Sequence, residues 1–239
     1  MFQIVPKLRY LSFFVLAISM ISCSSSSEKN NSQDVVVIHS LSEPENLNPF
    51  TSSDAQATQI KLNIFQRLLQ YDYETLKLVP VLADSLPVME TVGDGISLTF
   101  KIRPEAKWDN GEPITARDAV FSLKAILCPK VNSDAVKSYF EFVEDFKLYD
   151  EDPLKFTVFT KRAYMLAVDI IGYDMTIMPE YIFDAQHILR EFPITDFTNP
   201  TEAFLNNPKL KEFADAFNSE EYGRSPEKML GSGAYKLAD

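Results

Sequence analysis

Histidine and cysteine are scarce here, two of each in 239 residues. His39 sits in a β-branched run and His187 in a helical stretch. There is no His-x-x-x-His pair and no paired-cysteine spacing, so the ligand set of a zinc site is missing. No G-x-S-x-G elbow supplies a serine nucleophile. Gly231-Ser232-Gly233 lacks the Lys-Ser/Thr that a phosphate loop needs and reads as a turn. Carboxylates are plentiful, among them Glu141, Glu144 and Asp145, but on a helix-to-strand segment they read as a solvated face. General acid–base chemistry needs an environment that separates two pKa values. No catalytic residue, metal or cofactor is expected. Basic residues are the other shortage, 23 against 34 acidic ones, for a net charge of −11. That balance suits neither phosphate backbones nor anionic lipid surfaces, so nucleic acid is not an expected partner. The apolar run Leu11 to Ile21 is too short to span a bilayer.

What precedes residue 35 reads as an address rather than as fold. Lys7 and Arg9 stand before the apolar run, which closes on Ile21-Ser22-Cys23 and the serines Ser24 to Ser27. That is the layout of an export signal, and its junction resembles a bacterial lipobox, with Met20 where Leu is customary. The resemblance implies a lipoprotein signal peptide over 1–22, an acylated Cys23 and a polar tether over 23–34. Two acyl chains suffice for stable anchoring, and the tether as a flexible coil spans roughly 15–20 Å. The alternative is an ordinary cleaved signal with an incidental cysteine. With Cys23 acylated, Cys128 is the remaining thiol and no intrachain disulfide forms. At the apolar end of a helix, Cys128 reads as buried and structural.

The clearest local pattern runs from Ile96 to Leu127. Ile96, Leu98, Phe100 and Ile102 alternate with Ser97, Thr99, Lys101 and Arg103, which places four apolar side chains on one face of a half-buried strand. Pro104 ends the ladder because it has no backbone donor. Asp109-Asn110-Gly111, after the single Trp108, supplies a turn. Thr115 and Asp118 have capping-box spacing with Asp in place of Glu. Val120, Leu123 and Leu127 follow at helical spacing, and Pro129 stops the helix.

Around this centre, Val35 to Ser40 reads as a buried strand, followed by a loop from Leu41 to Asp54 without periodicity. Ser53 or Asp54 caps a predicted helix through Leu69, with Ile60, Ile64 and Leu68 on one face. Asp94-Gly95 is a predicted turn. Phe142–Tyr149 and Leu154–Thr160 read as a hairpin joined by 150–153. A short helix is expected over Tyr164–Ile171, and another from the end of Met175–Pro179 through Leu189. In the polar stretch Phe197–Arg224, Leu210, Phe213 and Phe217 mark one amphipathic piece.

Ile102-Arg103, Lys107-Trp108, Gly111, Pro113, Thr115-Ala116 and Asp118-Ala119-Val120 together resemble the signature of the family 5 extracellular solute-binding proteins. These are the oligopeptide, dipeptide and nickel receptors of ABC importers. Glu43-Pro44, Leu47-Asn48-Pro49, the segment Leu78 to Ser85 and Gly231-Ser232-Gly233-Ala234-Tyr235-Lys236-Leu237 resemble further family motifs. Asn110, where the family usually has Asp, and the inserted Ala119 depart from it.

The resemblance implies an α/β fold, a type II periplasmic-binding-protein-like lobe of mixed sheets with packed helices. It makes residues 35–239 an N-terminal lobe, C-terminally truncated, because the family's Gly-x-Gly motif falls near mid-chain, before a second lobe. It implies a substrate-binding component of an ABC importer that captures small peptides or similar solutes outside the cytoplasmic membrane. Its partners would be permease subunits, and it would be periplasmic or at the cell surface, held by its N-terminal lipid. Glu43 aligns with an acidic ligand contact of peptide-binding relatives; it either meets a peptide's α-amino group or is solvated. Tyr139 and Tyr173 are expected as cleft-lining aromatics, the other reading being core residues. Two different functions stay open beside transport: a surface adhesin or receptor that reuses the fold, and a nonfunctional fragment.

Overall fold

The computed structural model describes residues 37–238. The expected signal peptide, Cys23 and the tether lie outside the described residues, as do the first two positions of the Val35–Ser40 run. From Ser40 onward the described residues cluster as one unit. Within the described part of that run, Val37 and Ile38 are 88% and 81% exposed and no strand forms. The expected buried strand is corrected there: β-branched residues favour a pleated surface only when a ladder partner is present, and among the described residues this run joins no ladder.

Helix α1, Ala55–Ile64, begins at Asp54, whose Oδ1 accepts from Ala57 N at 2.8 Å. It stops five residues short of the predicted end. Leu69–Tyr71 is instead strand β1, paired antiparallel with β2, Leu78–Pro80. The carbonyl of Leu68 accepts from Val81 N and Ala83 N, so long-range partners override the helical spacing of Leu68 and Leu69.

A four-stranded antiparallel sheet carries the core. Its strands β3 (Val88–Val92), β4 (Gly95–Lys101), β5 (Val143–Tyr149) and β6 (Asp152–Thr160) lie in the order β3-β4-β6-β5. The predicted hairpin is β5–β6. The turn before β4 is Gly93-Asp94, with Gly93 at φ +57°, one residue earlier than expected. Leu98 pairs with Val158 and Phe100 with Phe156. All four are buried, the two rings stack at 5.6 Å, and burial of each side chain stabilises by about 1.5–3 kcal/mol. On the other face Thr99 Oγ1 and Thr157 Oγ1 share a hydrogen bond of 2.8 Å.

Helix α2, Ala116–Leu127, packs on the apolar face. Asp118 Oδ2 accepts from Thr115 N and Thr115 Oγ1, and the helix gives way at Cys128, just before Pro129. Every α2 residue except Arg117 is buried. Its polar side chains take the backbone of the segment that follows the sheet: Asp118 Oδ1 accepts from Glu180 N and Ser122 Oγ from Met178 N. Lys124 Nζ donates to the carbonyls of Leu189 and Phe192. Those bonds break the predicted helix through Leu189 into two short turns, Glu180–Phe183 and Ile188–Glu191, with His187 at φ +57° between them. Cys128 is buried and free. Helix α3, Pro208–Phe217, buries Leu210, Phe213 and Phe217 as its spacing predicts.

The Gly-x-Gly turn closes the end of α1. Ser232 N and Gly233 N donate to the Ile64 carbonyl and Tyr235 N to that of Asn63, which satisfies acceptors a helix C-terminus leaves open. The Gly231 carbonyl accepts from Asp109 N, tying the Trp108 turn to the same place.

Candidate ligand-binding surface

The strand β1 and the helical turn Ala167–Asp174 meet at Gly172. A Cβ on that glycine would lie 2.4 Å from Leu69 Cδ1. The close approach sets the Tyr71 and Tyr173 rings edge to face, 5.0 Å apart. Arg67, which bridges to Thr176, places its guanidinium carbon 4.6 Å from the centre of the Tyr173 ring, a cation–π contact. The Tyr71 hydroxyl donates to Asp169 Oδ1, and that bond holds its pKa above the usual phenol value. Asp174 stands at the exposed end of the turn.

Tyr139 occupies the turn Ser138–Phe140, which is pinned by buried Phe140 and packs on the Ile170–Asp174 turn. It is 57% exposed, and Met165 nearby in sequence to Tyr173's helical turn is 90% exposed. Tyr139 is therefore not a core residue, and Tyr173 is half-buried on the same side chain cluster as Arg67 and Tyr71.

Glu43 is placed differently. It is exposed on the Leu41–Asp54 loop and makes no hydrogen bond among the described residues. The loop behind it is fixed: Leu47 N donates to the Gly223 carbonyl, Asn48 Nδ2 to that of Phe217 and Arg224 Nη2 to that of Glu45. Glu45 N also reaches Asp54, the cap of α1. Glu43 thus belongs to the N-terminal end of α1 and the tyrosine cluster to its C-terminal end, the helix being about 15 Å long. The structure joins the elements of Tyr139 and Tyr173 and leaves Glu43 apart.

Arg67, Tyr71 and Asp169 were not anticipated. The signal in the sequence is Arg67 itself, a charge beside Gln66 between the apolar pairs Ile64-Phe65 and Leu68-Leu69. The arrangement offers flat aromatic surface beside a guanidinium and a carboxylate, which suits ligands that vary in side chain. Among the described residues no helix is long and apolar enough to cross a membrane.

A family model described as "Bacterial extracellular solute-binding proteins, family 5 Middle" matches residues 77–239. The periplasmic oligopeptide-binding protein OppA of Haemophilus influenzae is 25% identical over 211 residues, covering 85% of this chain and 34% of that protein. The dipeptide-binding protein DppE of Bacillus subtilis is 28% identical, covering 88% of this chain and 34% of its own length. The chain thus spans about a third of the length of these curated relatives. Among solved structures, the oligopeptide-binding protein AppA of Bacillus subtilis in complex with a nonapeptide superposes with a TM-score of 0.59 at 22% identity. That match covers 84% of this chain and 33% of AppA. The likeness establishes the type II periplasmic-binding-protein-like α/β fold.

Proposed function

The chain belongs to the bacterial extracellular solute-binding proteins, family 5, a family of binding proteins and not of enzymes, and on that premise we propose that it captures peptides for an ABC importer. The observation that carries this reading is the ledge of Tyr71, Tyr173 and Arg67, with exposed Tyr139 on the adjoining turn. Rings held edge to face stack on diverse side chains without selecting one sequence. The names of the relatives, which bind oligopeptides and dipeptides, support peptide over other solutes.

In this reading residues 35–239 form one lobe, and a second lobe closes over the ligand in a hinge motion driven by better contacts in the closed state. Glu43 meets the ligand's α-amino group at the far end of α1, while Tyr139 and Tyr173 line the wall. Cys23 carries the lipid that holds the protein at the membrane surface, outside the cytoplasm and within reach of the permease subunits.

Calorimetric titration of di- to pentapeptides into the 239-residue chain tests the reading. One wall buries only part of a ligand, so the expected Kd is of millimolar order, about −4 kcal/mol, and Tyr173→Ala weakens it several-fold. Submicromolar binding by these residues, or binding indifferent to Tyr173→Ala, would contradict it.

A further inference from the structure

Arg117, Val120, Phe121 and Lys124 recur at i, i+3, i+4 and i+7 along α2 and form one wall of a cavity of about 100 Å³. Phe146 of β5 faces them, and Glu180 and Arg190 supply the third side. The cavity is far smaller than the roughly 300–1,000 Å³ of a drug-sized ligand site, so a peptide does not fit inside it.

Its charge is unbalanced. Glu180 is engaged by Arg190, whose Nε and Nη2 donate to Oε1 and Oε2 at 2.7 and 2.5 Å. Lys124 is 5% exposed, yet the acceptors it touches are the neutral carbonyls of Leu189 and Phe192, at 2.8 and 2.6 Å. An ammonium has three donors, so one is left over. The rings of Phe146 and Phe197 lie 5.3 and 5.6 Å from Nζ. Burial pushes the Lys124 pKa down to about 8, against the pull of Glu180, Asp184 and Asp196. Among the described residues neither Lys124 nor Arg117 has a carboxylate within ion-pair distance. A desolvated cation without a contacting anion is costly. An anion that enters the cavity would relieve that cost, and this one opens in a chain of net charge −11.

We propose that the cavity binds a short-chain carboxylate, with its oxygens between Lys124 Nζ and the Arg117 guanidinium and its stem against Val120, Phe121 and Phe146. The site is separate from the peptide ledge and does not depend on it. The test uses the full chain labelled on lysine, with the Lys124 side-chain resonances followed by NMR. The probes are propionate, its neutral isostere propionamide, and N-acetyl-aspartate amide as a stand-in for a protein-borne carboxylate. Expected is a saturable shift with propionate and none with propionamide. Arg117→Gln, at the one exposed position of α2, should keep the thermal unfolding profile and weaken propionate at least fivefold. Equal shifts with both isosteres, no saturation, or an unchanged affinity in Arg117→Gln would overturn the proposal. Tighter binding of N-acetyl-aspartate amide than of propionate would also overturn the assignment to a free acid.

Discussion

Gly231 stands so close to α1 that a Cβ there would lie 2.0 Å from the carbonyl oxygen of Ile64. Gly233 makes the same approach to Asn63 O, at 2.2 Å. The two glycines let one turn cap a helix end with its own amides. Gly231→Ala must push that backbone away and lose the cap, so a loss at or above the upper end of about 1–3 kcal/mol is expected. Gly111 is a useful contrast: it has open space around it but φ +91°, so Gly111→Ala meets backbone strain rather than a clash, costing about 1–2 kcal/mol. Urea unfolding of the two variants checks the order.

Asp118 links stability to pH. Burial pushes its pKa up to about 6 from 3.8, although the amides of Thr115 and Glu180 and the Thr115 hydroxyl pull the other way. A folded pKa above the unfolded one means that the native state holds the proton more tightly. The resulting stabilisation is complete below pH 3.8 and is lost as pH rises through about 6, some 3 kcal/mol in all. Between pH 7 and pH 5 the wild type should therefore gain about 1 kcal/mol relative to Asp118→Asn. Denaturant unfolding at the two pH values measures this difference; an identical pH dependence in the variant would refute it.

The bond from Tyr71 to Asp169 should be visible as a titration. Its hydroxyl ionises above the ordinary phenol range because the carboxylate accepts from the neutral form. Asp169→Asn should bring the Tyr71 pKa down, read from the ring carbon resonances. Tyr71→Phe removes the donor of that bond and should lower the urea midpoint only slightly, because water replaces the bond at an exposed hydroxyl.

Cys23 makes a prediction of another kind. Intact-mass measurement on membrane fractions should find acyl chains on Cys23, and Cys23→Ser should move the protein to the soluble fraction. An unmodified Cys23 would reject the anchor.

The stretch Ile96–Leu127 was legible because its structure is set by near neighbours. Alternation makes β4, Thr115 and Asp118 make the cap, and Pro129 bounds α2. Where the sequence misleads, distant backbone decides. Leu68 and Leu69 continue the helical spacing of α1, but Val81 and Ala83 draw Leu68 into a ladder. The segment after Met175 has greasy positions enough for a helix, yet Asp118, Ser122 and Lys124 of α2 capture its backbone. The ledge is half legible for the same reason. Tyr173 is expected from the resemblance as a cleft-lining aromatic and lies half-buried in the cluster, whereas Arg67, Tyr71 and Asp169 join it only when β1 and the Ala167–Asp174 turn come together.

The most direct test of peptide capture at the tyrosine ledge uses a tripeptide with a nitroxide label, titrated into isotope-labelled chain. Expected is paramagnetic broadening at Arg67, Tyr71 and Tyr173, reduced in Tyr173→Ala, with Thr99 and Thr157 on the polar face of the sheet left sharp. Broadening centred on that sheet face, or none at millimolar peptide, would contradict it.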